Sequence, residues 1–178
     1  MTAIGQPDQL RLGFLTAIEV PEKGYVGGLL VTNHCGRPLE FQCTVPVRAN
    51  PTQEILYGPT LAPFMLGELI GGTLVEKAGV KPHLILTDRE QILELRNHVE
   101  QPVALVEPQQ VSAASADTEA PRSLKLGRQI IRFHPGHNDD QDKVSRGASR
   151  VPADADLQEP FDRVREALQE TLRSGVLK

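Results

Sequence analysis

The sequence has little of what marks most functional classes. Its 178 residues include two cysteines, no tryptophan and only 4% aromatic side chains. No apolar run approaches the roughly 20 residues that a membrane-spanning helix needs, and residues 1–11 lack the basic and apolar regions of a secretory signal. So few cysteines in a chain of this length indicate a reducing compartment. We therefore expect a cytoplasmic protein that makes no membrane contact.

Positive charge is also scarce. The formal net charge is −4, with 19 Lys and Arg against 23 Asp and Glu. No segment combines clustered basic residues with interleaved aromatic ones, which is the pattern that binding to a phosphate backbone favours. The composition therefore predicts no nucleic acid among the partners.

The short motifs that specify catalytic or cofactor sites are absent as well. The sequence contains no P-loop, dinucleotide-binding fingerprint, nucleophile elbow or HExxH helix. No two carboxylates stand out as an acid and a base. The sequence thus predicts no catalytic residue and no cofactor, and it favours a protein that is not an enzyme.

What the chain does contain is strongly patterned β-structure between residues 14 and 47. A first hairpin joins Phe14–Val20 to Tyr25–Asn33 through a turn that ends at Gly24. A second hairpin follows Asn33 through a three-residue loop whose last residue, Gly36, can adopt the left-handed conformation that such a loop requires. The two hairpins predict an antiparallel sheet at the centre of the fold.

The loop length also predicts a register for the second hairpin, with pairing that starts at Asn33 and Arg37. Strict alternation of side chains then places one apolar set on a single face. That set is Leu29, Val31, Leu39, Phe41 and Cys43. Cys43 would lie roughly 20 Å from Cys35 in the loop, at about 3.3 Å per residue, which is too far for a disulfide.

The remainder of residues 1–107 alternates helices with strands. The pattern predicts a helix over residues 61–78, a strand over 83–86, a helix begun by a Thr87–Glu90 capping box and a strand over 102–107. The order β-β-β-α-β-α-β predicts an α+β domain, with a mainly antiparallel sheet built from two hairpins and one buried helix packed on it.

The composition changes at Pro108. Residues 108–123 are mostly Ala, Ser, Gln, Asp and Thr, which predicts a flexible linker. Residues 124–178 predict one C-terminal strand and an amphipathic helix with Phe161, Val164 and Leu168 on its apolar face. One strand and one helix bury too little apolar area to fold alone. We therefore expect this extension to dock on the core domain or on a partner.

One candidate ligand site lies in the irregular segment that joins the sheet to the first predicted helix. Arg48, Glu54 and Tyr57 occur there, and loops held by rigid elements commonly bind ligands. The alternative is that Tyr57 packs against the protein and that the two charged side chains are solvated.

A second candidate is a metal site after the C-terminal strand. The segment holds His134, His137, Asp139 and Asp140, whose imidazoles and carboxylates could bind a divalent cation. The spacing is not a zinc signature, however. A turn followed by a short helix capped by Asp139 or Asp140 accounts for the same residues.

Over residues 12–107 the sequence resembles a bacterial protein family. The resemblance is carried by the segments Gly27–Asn33, Gly36–Phe41 and Glu54–Leu61, together with Cys43 and Thr44. The family is an uncharacterised one of the planctomycete type, so the resemblance implies a bacterial protein and no particular activity. In fold alone, a glycine-turned hairpin followed by a helix also looks like small sensory or scaffold domains of the PAS, GAF and roadblock kinds.

These features together predict a non-enzymatic interaction, regulatory or sensory protein. It would act through protein–protein contact, with a protein partner or a second copy of the chain. The alternative is a small metal-dependent hydrolase centred on the loop from His134 to Asp140.

Overall fold

Seven strands form one mixed sheet in the computed structural model, which describes residues 10–108 and 122–175. The strands are β1 Arg11–Val20, β2 Gly24–Asn33, β3 Pro38–Cys43, β4 Leu84–Thr87, β5 Val103–Val106, β6 Ser123–Leu126 and β7 Gln129–Phe133. Their order in the sheet is β3-β2-β1-β4-β5-β7-β6. The pairs β1–β4 and β4–β5 are parallel and the other pairs are antiparallel. The predicted α+β class is confirmed.

Helices lie on both faces of the sheet. They are α1 Pro51–Tyr57, a π-helical segment Pro63–Gly71 that continues into α2 Gly72–Lys77, α3 Asp140–Ser145 and α4 Glu159–Arg173. Three 3₁₀ segments in the described residues span Gly58–Thr60, Glu90–Asn97 and Ala148–Arg150. In the two described ranges of the chain, no helix is both long and apolar enough to cross a membrane.

The helix α1 falls in the segment predicted to be irregular. The Asn50 side chain accepts from the Gln53 N–H at 2.8 Å, and the Gln53 side chain accepts from the Asn50 N–H at 3.0 Å. This reciprocal pair is a capping box, and Pro51 occupies the first helical position, where its missing N–H is not needed. The local sequence thus contains a complete signal for a helix start.

Each face of the sheet has its own apolar core. On one face, called the α4 face, Phe14 of β1 meets Phe161 of α4 edge-on, with ring centroids 5.4 Å apart. On the opposite face, called the α2 face, Leu15 and Ile85 pack beneath the π-helical segment, α2 and the 3₁₀ segment Glu90–Asn97. The sheet is therefore the middle of three layers.

Two adjacent glycines of β2 let a helix approach each face closely. Gly27 and Gly28 point to opposite sides of the strand, as successive residues do. A Cβ at Gly27 would lie 2.1 Å from Ile70 of the π-helical segment, and a Cβ at Gly28 would lie 2.8 Å from Val164 of α4. Larger residues at either position would push a helix away from the sheet.

The loop of the second hairpin forms as predicted. Gly36 has a φ of +86°, and the Asn33 N–H donates to the Arg37 carbonyl at 3.0 Å. The Asn33 side-chain oxygen also accepts from the N–H groups of Cys35 and Arg37 at 2.9 and 3.0 Å. These bonds fix a tight three-residue loop.

The strand register beyond this loop differs from the prediction. A β-bulge next to Val31 shifts the pairing, so that Leu30 rather than Leu29 lies opposite Phe41. Because side chains alternate, one extra residue moves Phe41 to the α4 face and leaves Leu39 44% exposed. The predicted five-residue apolar set therefore does not share one face, although both cysteines are free thiols as expected.

The predicted capping box at Thr87 does not form. The Thr87 hydroxyl accepts from the Arg89 N–H at 3.2 Å, but the Glu90 carboxylate pairs with Arg132 of β7, also at 3.2 Å. The helix predicted to begin there is the 3₁₀ segment, which starts at Glu90. A tertiary ion pair has replaced the local cap.

The C-terminal part of the described chain joins the same sheet. The strand predicted over residues 124–133 is the hairpin β6–β7, turned at Gly127 with a φ of +58°, and β7 pairs with β5. Residues 109–121, which hold nearly all of the predicted linker, lie outside the described residues. The domain boundaries 1–107, 108–123 and 124–178 stay a prediction.

Candidate functional site

The parallel strands end together, and β1 projects beyond them. β1 pairs with β4 only from Leu12 to Leu15, whose partner is Thr87 at the end of β4. Residues 16–20 of β1 continue past that end, paired with β2 alone. Ligands of open α/β sheets bind outside the carboxyl ends of the strands, where the connections diverge to the two faces. The fold itself therefore marks this edge as a candidate site.

Asp88, the first residue after β4, is at the centre of this edge, and its side chain is 11% exposed. The buried Thr16 hydroxyl donates to Asp88 Oδ1 at 2.6 Å, and the Arg165 guanidinium of α4 pairs with Oδ2. Arg165 also donates to Asp162 at 3.0 Å. A carboxylate so nearly buried requires such partners. Both of its oxygens are held in place.

A second arginine bridges two carboxylates near the end of β5. Arg132 donates to Glu107 at 2.9 Å and to Glu90 at 3.2 Å. The hydrogen bond to Glu107 is the main reason that the pKa of Arg132 is raised above its usual value. The side chains of Arg132 and Arg165 are 37% and 36% exposed. Each guanidinium therefore keeps N–H groups within reach of solvent.

We call this group of side chains the carboxyl-end cluster. It consists of Thr16, Asp88, Arg89, Glu90, Glu107, Arg132, Asp162 and Arg165. Arg89 lies between Asp88 and Glu90 in the sequence, and it is half-buried. It forms no ion pair with any residue that the structure describes. Carboxylates thus fix two guanidinium groups of the cluster, those of Arg132 and Arg165.

Close packing of α4 on the sheet positions Arg165. Because Gly28 has no side chain, Val164 of α4 lies directly over the backbone of β2. The edge-on contact of Phe14 with Phe161 holds the same helix against β1. Arg165 follows Val164 in the helix, and its side chain then reaches the end of β4.

Of the three residues predicted to bind a ligand, Arg48 and Glu54 line one cleft and Tyr57 does not. The cleft has a volume of about 370 Å³ and lies beside the projecting end of β1. Arg48 donates to a backbone carbonyl of the β1–β2 turn at 2.9 Å. The Tyr57 ring instead stacks on Phe64, with centroids 4.4 Å apart.

Of the four residues of the predicted metal site, His134 and His137 lie together, with ring centroids 5.3 Å apart, but in the described residues no third ligand joins them. Asp140 is buried and accepts two hydrogen bonds from Arg96, at 2.7 and 3.2 Å. His137 Nε2 lies 3.0 Å from a side-chain amide oxygen, and Asp139 is exposed just before α3. Burial is the main cause of the lowered pKa of His134. Each residue has a structural partner or faces solvent.

No metal centre is assembled elsewhere in the described residues either. In those residues no group of three or more His, Cys, Asp or Glu side chains is arranged to hold an ion. The metal-dependent hydrolase alternative stays a prediction.

Sequence reasoning does not identify the carboxyl-end cluster. Its one local signal is the polar segment from Thr87 to Glu90, which directly follows a strand predicted to be buried. The bond between Thr16 and Asp88 joins residues 72 positions apart, and Arg165 comes from the last helix. Only the folded chain brings these side chains together.

The chain is similar to three solved structures of nucleic-acid proteins. The catalytic domain of human endonuclease V shares 16% identity and a TM-score of 0.47, covering 92% of this chain and 84% of that one. Ciona intestinalis endonuclease V, in complex with a DNA that contains an inosine, shares 12% identity and a TM-score of 0.45, covering 91% and 86%. Marinitoga piezophila Argonaute with a guide RNA shares 13% identity and a TM-score of 0.37, covering 79% and 26%. No protein-family model and no curated protein matches the sequence.

These similarities contradict two predictions made from the sequence. The non-enzymatic regulatory function through protein–protein contact is wrong, and so is the exclusion of nucleic acid as a partner. Identities and TM-scores this low transfer neither an activity nor a site residue to this chain.

Proposed function

We propose that this chain binds nucleic acid and that the carboxyl-end cluster contacts its phosphodiester backbone. The observation that carries the proposal is that two arginines fixed by carboxylates, Arg132 and Arg165, lie at the carboxyl ends of the parallel strands, one on each face of the sheet. Guanidinium groups bind phosphate oxygens through paired N–H donors in a fixed geometry. The edge is also where sheets of this kind place their ligands.

The carboxylates of the cluster order its two paired arginines. Arg132 and Arg165 are each bridged between two carboxylates, which hold the guanidinium groups at defined positions. A bridged guanidinium does not use all five of its N–H donors. Because its side chain is already ordered, it loses less conformational entropy when a phosphate binds. The two free cysteines support a reducing, cytoplasmic location, where nucleic acid is present.

Fluorescence anisotropy with a labelled single-stranded oligonucleotide tests the proposal. We expect Arg165→Met and Arg132→Met each to weaken binding by about tenfold, and to reduce the salt dependence of the affinity by about one released counterion. Arg173→Met is the matched control, because Arg173 lies in the last turn of the same helix and is 76% exposed. Equal affinities of all four proteins, or no binding at about 50 mM salt, would contradict the proposal.

Incubating the same oligonucleotides and separating them by denaturing electrophoresis extends the test to cleavage. One strand should contain inosine, because the DNA of the Ciona complex does. Asp88→Asn is the informative variant, since it keeps an oxygen acceptor for the Thr16 hydroxyl and removes the charge at the centre of the cluster. A product that this variant no longer forms would assign cleavage to the cluster.

The cleft of Arg48 and Glu54 supports a second candidate function, the binding of a small zwitterion. Arg48 and three glutamates, Glu54 among them, line one volume of about 370 Å³, so that a cation is available for the carboxylate of an amino acid and carboxylates for its amine. A thermal-shift screen of amino acids should find one that stabilises the protein but not Arg48→Met. The absence of a shift with any amino acid would count against this candidate.

A further inference from the structure

An apolar pocket lies at the opposite end of the parallel strands. It has a volume of about 240 Å³. The amino ends of β1, β4 and the segment before β5 contribute Leu12, Leu84 and Pro102, and Val144 of α3 and Ala148 close it from above. This volume is at the small end of the range for ligand pockets. The carboxyl-end cluster contributes none of its lining.

The polar groups around this pocket are basic. Lys143 and His83 line it together with the apolar residues, and no acidic side chain is among the described residues that line it. Burial is the main cause of the lowered pKa of His83, and the charges of Arg11 and Arg150 lower it further. Two more cations are therefore close to His83. The pocket joins an apolar interior to a positive rim.

His83 offers a hydrogen-bond donor at this rim. Its Nδ1 accepts the backbone N–H of Arg11 at 3.0 Å. In the neutral ring the proton is consequently on Nε2. An imidazole N–H and a lysine ammonium are both donors, and a carboxylate is the ligand group that accepts from both.

We infer that this pocket binds a small amphipathic anion, namely a medium-chain carboxylate. The alkyl chain packs in the apolar interior, and the carboxylate contacts Lys143 and His83. Burial of the chain supplies the affinity, so each added methylene strengthens binding by about fourfold until the pocket is full. The positive rim selects an anion over an alcohol or an ammonium of the same length.

Isothermal titration calorimetry on the full chain tests this inference with three probes of equal length: octanoate, octanol and octyltrimethylammonium. We expect octanoate to bind about tenfold more tightly than octanol, and the ammonium to bind most weakly. Hexanoate should bind about 16-fold more weakly than octanoate, by two steps of about fourfold. Equal affinities for octanoate and octanol, or no octanoate binding, would overturn the inference.

Two variants locate the binding. Lys143→Met keeps the length of the side chain and removes its charge, so the affinity for octanoate should fall towards that for octanol. Lys77→Met is the control, because Lys77 is exposed at the end of α2 on the other face of the sheet. Ala148→Phe fills the pocket and should abolish the binding of octanoate and of octanol. Where Ala148→Phe does not fold, an unchanged octanoate affinity in Lys143→Met still overturns the inference.

Discussion

The two ends of the parallel strands β1, β4 and β5 differ in chemistry. At the carboxyl ends, arginines and carboxylates bond to one another across the edge of the sheet. At the amino ends, apolar side chains leave a pocket of about 240 Å³ with a lysine and a histidine at its rim. We propose an extended anion as the ligand of the first end and a small amphipathic anion as the ligand of the second.

This difference follows from the helix that covers each end. The carboxyl end receives Arg165 from α4, which packs on the sheet through Gly28. The amino end is covered by α3, whose first residue Asp140 is held by Arg96. Because each end depends on its own helix, a substitution can damage one end and spare the other.

Asp140→Ala should have the largest effect and should damage the amino end. The Asp140 side chain is 1% exposed and that of Arg96 is 11% exposed. Removing one partner of a buried pair leaves an uncompensated charge, which costs about 3–5 kcal/mol of unfolding free energy. Urea denaturation should show this loss, and octanoate binding should fall while the folded protein still binds the oligonucleotide.

The exposed neighbour Asp139 provides the control for this change. Asp139→Ala should alter the unfolding free energy by less than about 0.5 kcal/mol. Similar losses in the two variants would mean that the Arg96–Asp140 pair does not anchor α3.

Gly28→Ala should damage the carboxyl end instead. The new Cβ would lie 2.8 Å from Val164 and 3.2 Å from Leu168. Overpacking of this kind costs about 1–3 kcal/mol, and it moves α4 together with Arg165. We expect oligonucleotide affinity to fall and octanoate affinity to stay the same. A loss of octanoate binding of equal size would show that the two ends are not independent.

Local signals in the sequence predict the parts of the fold that local chemistry decides. The Gly36 loop, the strands β4 and β5, and the C-terminal helix with Phe161 and Val164 buried are all present in the structure. The register beyond the loop is not predictable in the same way. The bulge beside Val31 shifts the pairing of β3 by one residue, which no short pattern records.

The candidate site was beyond sequence reasoning for a related physical reason. The Thr87–Glu90 pattern fits a capping box, but the Glu90 carboxylate pairs with Arg132 of β7 and not with a nearby backbone N–H. Asp88 likewise bonds to residues of β1 and α4. Charged side chains at the end of a buried strand are visible in a sequence, whereas their partners depend on the order of strands in the sheet.

Lowering the pH should also affect the two ends differently. Burial lowers the pKa of His83 below its ordinary value of 6.5, so the unfolded chain takes up this proton at a higher pH than the folded chain. The stability that His83 contributes is therefore present above pH 6.5 and is lost as the pH falls through the folded pKa. Urea denaturation between about pH 7.5 and 5 should show that the unfolding free energy of His83→Gln depends less on pH than that of the parent protein.

The carboxyl-end cluster contains no histidine, so its oligonucleotide affinity should not follow the same titration. His134, whose pKa is also lowered chiefly by burial, should contribute to the stability profile in the same direction. Identical pH profiles for the parent protein and His83→Gln would contradict the assignment of this effect to the amino end.

Gly72→Ala should have the smallest effect and should change neither end. Gly72 is helical, with a φ of −59°, and a Cβ there would meet no atom within 4 Å. Replacing a helical glycine by alanine at such a position stabilises a protein by about 0.5–1 kcal/mol.

The same change at Gly27 should instead destabilise the protein, because its Cβ would lie 2.1 Å from Ile70. Opposite signs of the change in unfolding free energy, with both ligand affinities unchanged in Gly72→Ala, would show that the close approach of helix to sheet requires glycine at Gly27 and not at Gly72. If both substitutions changed the unfolding free energy in the same direction, the helices could shift on the sheet without cost. Close packing of the helices would then not explain why the two ends are independent.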